Sequence, residues 1–456
     1  MRVVIIGTGY VGLNTAVMLA YLGNEVTCMD INPDKVALLK QGVVPIHEPH
    51  LDDVFLSVHQ DMHFTSDYAQ ANIPEADVII IAVGTPSLPD GKANLSYLHQ
   101  AAKSIAQHLG ETFTLIVNKS TVPIGAGNWV EGIIHAYYQE CHPAEKNHNF
   151  NVVSSPEFLS QGSALRDSFF PNRIILGSEH KPSIERFGKL FEPIQKQNFQ
   201  VPAGLVRPEG LKEVPFFVCD LISAEMIKYA ANAFLATKIS FINEIGHLAD
   251  KVGANVDAIS KGIGLDPRIG QHFLNAGIGW GGSCFGKDTA ALVAIAQDYD
   301  LEMPIVRAAR KVNYEQRTWV VQTLAERMGS LEGKHISLLG FSFKPNTDDL
   351  RDAPSIDISR ELIKRGAIVT AHDPIALKNA RLQFPDLGVI YEDDFYTSLE
   401  KAEAIVLLTE WQEYAHMDWS RVPKALVLDG RNHLDHQMLK GLGFETVNFG
   451  RGTGLQ

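Results

Sequence analysis

The sequence predicts an α/β chain in which two doubly wound parallel sheets are joined by a central helical domain. Short β-rich runs alternate with helical patterns through the first 200 residues. A block from about 221 to 328 is helical with no convincing strand, and strand alternation returns after "GSLEGK". These three observations divide the chain into domains spanning 1–200, 201–329 and 330–456.

The first block supplies "RVVIIG", "NEVTCMD", "ADVIIIAVGTP", "FTLIVNKSTV", "NFNVVSSPEF" and "NRIILGS". Near-continuous apolar runs bounded by turn residues are what strands buried on both faces of a parallel sheet require. The segment 201–218, "VPAGLVRPEGLKEVPFFV", is rich in Pro and Gly and is expected to be a loop. "ISAEMIKYAANAFLATKISFINEIGHLADKVG" then carries a long helical pattern. The last block returns to strands with "HISLLG", "AIVTAHDP", "AEAIVLLTEW" and "KALVLDGRN". "LAYLGNEVTCMD" (19–30) and "LIKRGAIVTAHD" (362–373) share Leu, Gly, Val-Thr and Asp in nearly matching order, as a duplicated βαβ unit would.

Composition narrows the function. A 456-residue chain that is 45% apolar and 20% charged can bury full cores, so disordered and fibrous classes are excluded. A formal net charge of -13 argues against nucleic-acid or anionic-membrane partners, and an anionic ligand would need local Lys and Arg. The chain opens on a strand without a signal pattern and has no apolar run near the roughly 20 residues of a membrane helix, so a cytoplasmic protein is expected. Cys28, Cys141, Cys219 and Cys284 form no C-x-x-C pair, which disfavours a metal site or a disulfide framework and suits a reducing compartment. The first three are expected to be small buried apolar residues.

Gly7-Thr8-Gly9-Tyr10-Val11-Gly12 follows a strand, opens a helix, and is followed by Asp30 at the end of the next strand. In that context G-x-G-x-x-G is a dinucleotide fingerprint, and the sheets are expected to be Rossmann-like. Gly7 serves the tight turn, Gly9 the approach of the pyrophosphate, and Gly12 the packing of helix on strand. Asp30 would accept from ribose hydroxyls and repel a 2′-phosphate, favouring NAD. A vestigial unit without cofactor is the plainer alternative.

Cys284 closes the glycine-rich stretch "GIGWGGSC", ahead of the helical "KDTAALVAIAQDYD". A thiol at a helix N-terminus is favoured as thiolate, although most unpaired cysteines are simply small packing residues. The glycines are expected to give flexible backbone and a close approach to ligand. An NAD site with a nucleophilic thiol points to oxidation at the aldehyde level. The thiol would add to a carbonyl, a thioester would form, and hydrolysis would release an acid.

The motifs "GTGYVGL", "VGTP", "KSTVP", "SPEFLSQGSALRD", "AEMIKYAANAFLATKISFINEIG", "GIGLDPRIGQHFL", "GGSCFGKD" and "FKPNTDDLRDAPS" run nearly end to end. On them the chain resembles the UDP-glucose/GDP-mannose dehydrogenase family. The resemblance implies two successive NAD-linked oxidations at C6 of UDP-glucose, giving UDP-glucuronate without free aldehyde, and a homodimer.

It also implies residue roles. Lys228 and Asn232, four apart and so on one helix face, would hold the C6 oxygen, and Asp288 and Thr121 would hold a water. Asp288 would share base work with Lys228, and Glu157 would activate water for thioester hydrolysis. Tyr10, Val11, Lys35, Thr85, Thr121 and Lys287 would join the cofactor site, with Arg351 facing its phosphate. Phe158, Leu159 and Gln161 would lie along UDP and sugar, as would the glycine loop with Phe273, Asn275, Gly277, Trp280 and Gly281. Phe343 and Lys344 would approach from the third domain, and Arg268 from a second subunit. Arg268 and Arg351 also read as ordinary surface ion pairs.

Gln161 stands where many relatives have Glu, Ser155 where Asn is usual, and Gly286 where Pro is common. Members acting on GDP-mannose or UDP-N-acetylhexosamines share the chemistry, but the latter usually have His rather than Ser before the thiol. A hydroxyacid dehydrogenase would need neither Cys284 nor residues 330–456. A non-enzymatic NAD-binding regulator would need neither the thiol nor the Lys228/Asn232 pair.

Overall fold

The computed structural model describes residues 1–142 and 149–452 and divides into two compact units, Met1–Ala230 and Ala231–Gln456. The first unit holds strands β1 (Arg2–Ile6), β2 (Glu25–Met29), β3 (Met62–Thr65), β4 (Val78–Ile81), β5 (Thr114–Asn118), β6 (Phe150–Ser154), β7 (Ile174–Gly177) and β8 (Phe216–Cys219). Their order across the sheet is β3-β2-β1-β4-β5-β6-β7-β8. All neighbours run parallel except β6 and β7, which meet antiparallel through Ser154 and Gly177.

Period-two alternation explains why these runs are apolar throughout. Val3 and Ile5 enter the core under the Tyr10–Tyr21 helix, while Val4 and Ile6 enter the core on the opposite face, with the Ser96–His108 and Ala126–Cys141 helices. The expected loop at 201–218 needs correcting. Its last residues form β8, paired in parallel with β7, and Val214 reaches the same core as Val3.

The second unit contains β9 (His335–Leu339), β10 (Ile368–His372), β11 (Ile390–Tyr391), β12 (Ala404–Leu407), β13 (Leu426–Asp429) and β14 (Glu445–Asn448), all parallel, in the order β11-β10-β9-β12-β13-β14. That is the order of the first six strands of the first sheet. The chemistry at the first turn repeats as well: Asp30 accepts from the Thr8 N–H, and Asp373 accepts from the Phe341 and Ser342 N–H groups. Both support a duplicated unit.

One continuous helix, Leu221–Val252, carries the last turns of the first unit into the second. Its buried face includes Glu225, Lys228 and Asn232, and its opposite face exposes Phe234, Phe241 and Leu248. Among the described residues no helix is long and apolar enough to cross a membrane.

Candidate active site

In the first unit the expected residues follow the carboxyl ends of parallel strands: Gly7 after β1, Asp30 after β2, Thr85 after β4, Thr121 after β5 and Glu157 after β6. Sheets of this kind bind ligands at that edge, where strand order reverses beside β1. Gly7 has φ +94°, and a Cβ there would lie 2.8 Å from the Ala82 carbonyl oxygen. A Cβ on Gly12 would lie 1.8 Å from the Gly7 oxygen, whereas one on Gly9 would meet nothing within 4 Å. Gly9 is the N-cap of the Tyr10–Tyr21 helix with no side chain capping it, which leaves room for a phosphate at the helix N-terminus. Tyr10 and Val11, in its first turn, are half-buried.

Asp30 is tied into this turn. Oδ2 accepts from Thr8 N (2.8 Å), Thr8 Oγ1 (2.7 Å) and Lys35 Nζ (3.3 Å), and Oδ1 from Asn32 N (3.0 Å). Burial pulls the carboxyl up, but the Thr8 and Asn32 donors and the Lys35 charge together hold it below its usual value. Thr85 Oγ1 donates to the Thr121 carbonyl at 2.7 Å, joining the loops after β4 and β5.

Glu157 and Lys228 are both buried and paired. Lys228 Nζ donates to the Glu157 carbonyl oxygen (2.7 Å) and Oε1 (3.1 Å), and Leu159 N donates to Oε2 (2.6 Å). Burial raises the Glu157 carboxyl, and the combined opposing effects of Lys228, the Leu159 N–H and Lys119 hold it below the ordinary range. Lys119, unassigned in the sequence, is the second cation here. Burial pushes its ammonium down to about 8, against the attraction of Glu157 and with repulsion from Lys228. The Phe158 ring lies 5.4 Å from Lys228 Nζ, and Gln161 Oε1 is buried with no hydrogen-bond partner among the described residues.

In the second unit Cys284 is half-buried at the N-cap of the Phe285–Asp298 helix, with Ser283 Oγ 3.6 Å from its sulfur. Asp288, one turn on, is closed to solvent. It accepts from Lys287 Nζ (2.5 Å) and Asn232 Nδ2 (2.6 Å).

The glycine turn is not the flexible backbone expected from composition. Gly277 N donates to Asn243 Oδ1 and Gly277 O accepts from Gln316 Nε2. Trp280 N donates to Asn313 Oδ1, while Trp280 O accepts from Asn313 Nδ2. At Gly279 (φ +94°) a Cβ would fall 2.6 Å from Asn313 Oδ1, and at Gly282 (φ +87°) 2.6 Å from the Phe343 ring. Close packing, together with positive φ, demands glycine there.

Other expected residues are held by their own loops. Arg351 forks onto Asp349, with Nη2 2.6 Å from Oδ2, and Arg268 forks onto Asp266 with its side chain 87% exposed. Phe273 (φ +63°) meets the Phe285 ring edge-on, Asn275 is exposed, and Lys344 Nζ lies 5.6 Å from the Phe343 ring centre. Of the three cysteines expected to be buried, Cys28 is. Its thiol is pushed far up by burial and then by Asp30. Cys141, at a helix end, is exposed, and Cys219, on an edge strand, is half-buried, which corrects the expectation for both. Among the described residues no cluster of His, Cys, Asp or Glu could hold a metal ion.

Three family models match the chain: the NAD binding domain of the UDP-glucose/GDP-mannose dehydrogenase family over residues 1–195, its central domain over 222–315 and its UDP binding domain over 337–436. The chain is 41% identical to UDP-glucose 6-dehydrogenase YwqF of Bacillus subtilis (strain 168), covering 98% of this chain and 97% of that protein. It is also 41% identical to UDP-glucose 6-dehydrogenase of Rhizobium meliloti (strain 1021), covering 99% and 100%. A solved UDP-glucose dehydrogenase from the hyperthermophilic archaeon Pyrobaculum islandicum matches with TM-score 0.85 and 36% identity, covering 95% of this chain and 94% of that one.

Proposed function

The chain belongs to the UDP-glucose/GDP-mannose dehydrogenase family, and from that premise we propose that it oxidises C6 of UDP-glucose to the carboxylate of UDP-glucuronate. One UDP-glucose, two NAD⁺ and one water give UDP-glucuronate, two NADH and three protons. The cradle at Gly7, Gly9 and Gly12 fits NAD: the backbone has room at Gly9, the helix N-terminus lacks a side-chain cap, and Asp30 is held ionised. When bound, NAD supplies the hydride acceptor for both oxidations.

Lys228 and Asn232 present an ammonium and an amide one helical turn apart, donors suited to an alkoxide oxygen. Asp288 is the base in contact with Asn232, and it takes the alcohol proton. At the aldehyde level the Cys284 thiolate adds to C6 to form a thiohemiacetal, and its oxidised form is a thioester. Glu157, kept anionic by Lys228, removes a proton from the water that cleaves this thioester. Gln161, with its buried acceptor oxygen, would accept from a sugar hydroxyl. The observation that carries this reading is Cys284 at a helix N-cap one turn from the buried Asp288.

The Leu221–Val252 helix supports a homodimer as part of this proposal. Phe234, Phe241 and Leu248, 66%, 48% and 59% exposed, stand seven residues apart and make one apolar stripe that a second copy of the helix would cover across a two-fold axis. A reducing cytoplasm suits a chain whose Cys284 must remain a thiol.

Incubation with UDP-glucose, GDP-mannose and UDP-N-acetylhexosamines, scored by NADH per sugar and by product mass, tests the proposal. Two NADH and UDP-glucuronate from UDP-glucose are expected. One NADH per sugar, or preference for another nucleotide sugar, overturns it.

A further inference from the structure

We infer that Arg317 and Asp352 clamp the turn carrying Cys284, and that glycine at 286 admits the Asp352 carboxylate beside the first turn of the cysteine helix. The inference rests on Cys284 being the nucleophile.

Arg317, buried on the Pro304–Met328 helix, gathers three acceptors with one nitrogen: Nη2 lies 2.8 Å from Asp352 Oδ1, 3.2 Å from the Asp352 carbonyl oxygen and 3.2 Å from the Trp280 carbonyl oxygen. Its Nη1 bonds Asp357 Oδ2. One guanidinium therefore joins the segment around Asp352 to the glycine turn. A second tie runs directly between them, from Gly282 N to the Arg351 carbonyl oxygen at 2.9 Å. Asp352 adopts φ +50°, in the left-handed region that Asp enters more readily than most non-glycine residues.

The fit leaves no room for side chains. A Cβ on Gly281 would lie 2.4 Å from the Asp352 carbonyl oxygen, and one on Gly286 2.5 Å from Asp352 Oδ2. That Oδ2 is buried with no hydrogen-bond partner among the described residues. Glycine at 286 thus has a physical reason in this chain: a larger residue would displace the carboxylate. The charges facing Asp352 are Arg317, Asp357 and Arg310, whose Nη1 also donates to the Gly286 carbonyl at 2.7 Å. Lys287 and Asp288, on the cysteine helix itself, pair with one another. A negative carboxylate beside the N-terminal turn opposes ionisation of a thiol at the N-cap, while the helix N-terminus favours it. Asp352 is thus a positioning residue, and its charge beside the first turn should also bear on thiol reactivity.

The test is alkylation of Cys284 by iodoacetamide in ligand-free full-length protein, followed across pH by peptide mass spectrometry so that exposed Cys141 is scored separately. Asp352→Asn keeps the shape and removes the charge, and should move the alkylation midpoint toward acid by roughly one pH unit. Gly286→Ala should alter the Cys284 alkylation rate several-fold in the parent. It should have little effect in an Asp352→Gly background, where the clash is gone and φ +50° is natural. An unmoved midpoint in Asp352→Asn, or equal effects of Gly286→Ala in both backgrounds, overturns the clamp. No sugar or cofactor is used, so this outcome is independent of the NADH stoichiometry that tests the proposed function.

Discussion

Lys228 Nζ stands 2.7 Å from the Glu157 carbonyl oxygen and 3.1 Å from its carboxylate, so a single ammonium fixes both the backbone and the charge of a residue 71 positions away. Removing one partner of such a buried pair leaves the other uncompensated, at a cost of about 3–5 kcal/mol. Because the folded state holds the Glu157 carboxyl below its ordinary value, the stabilisation is present above that value and is lost as pH falls through the folded one. Glu157→Gln should therefore lower the thermal midpoint most at neutral pH, with the deficit shrinking as solutions become acid. Turnover should stop after two NADH per site, with the acyl thioester detectable by mass. A deficit that persists unchanged in acid would show that the pair's charge is not what stabilises it.

Glu225 behaves oppositely. It accepts from Gly125 N (2.6 Å) and Gly127 N (2.8 Å), binding the loop that follows Thr121 to the helix that carries Lys228. Burial lifts its carboxyl to about 7, against the backbone donors that favour the anion. With the folded value raised, its contribution is complete below the unfolded value and is lost as pH rises through about 7. The thermal midpoint of the parent relative to Glu225→Gln should fall over that window. A difference constant with pH would contradict the raised value.

The sequence made interior strands legible because burial on both faces leaves an apolar signature in consecutive residues. The strands it missed, β3, β8, β11 and β14, are the four sheet edges; β8, β11 and β14 are only partly covered, and β3 is interrupted by the exposed His63. The Gly7/Gly9/Gly12 fingerprint and Asp30 were readable because their spacing is local. Lys119 lies inside the quoted "KSTVP", yet its closeness to Glu157 depends on two strands being neighbours, which no periodicity encodes. The same holds for Asn313 and Arg317. They explain the glycine turn, and they come from the Pro304–Met328 helix, to which sequence reasoning assigns no role.

Cofactor choice tests Asp30. Its Oδ2 already orients Thr8 in the glycine turn, so Asp30→Ala removes both that support and the charge that repels a 2′-phosphate. The KM for NAD should rise by about tenfold or more, as expected for losing a hydrogen bond to a charged group, and the preference over NADP should narrow. Full retention of NAD preference would place the ribose elsewhere.

Assembly can be tested on the exposed stripe. Phe241→Asp puts a charge in the middle of the apolar row and should yield monomer by analytical ultracentrifugation. Arg268 pairs with Asp266 of its own loop, and its side chain is 87% exposed, so its proposed service to a neighbouring subunit's site is testable in mixed dimers. Mixing inactive Arg268→Ala with inactive Cys284→Ala should restore some activity, since one site of a mixed dimer then holds both residues. No recovery despite proven subunit exchange would assign Arg268 to its own chain.

Replacing the sulfur of Cys284 separates binding from covalent chemistry. The turn before it is fixed by Asn243, Asn313, Gln316 and Arg317, so Cys284→Ser should keep the backbone and bind NAD and UDP-glucose nearly as the parent does. A hydroxyl ionises far less readily than a thiol, so addition to the aldehyde slows. Any acyl product is an oxygen ester, which hydrolyses more slowly than a thioester. Steady-state turnover should drop by about 100-fold or more, an effect confined to kcat because the lost interaction is made in the transition state. Mass spectrometry should find a UDP-glucuronyl adduct on the peptide bearing the substituted serine. Cys284→Ala has no nucleophile and should form no adduct. If the alanine variant made two NADH per sugar at the parent rate, the thiol would have no part in the oxidation. The glycine turn would then be a packing device alone.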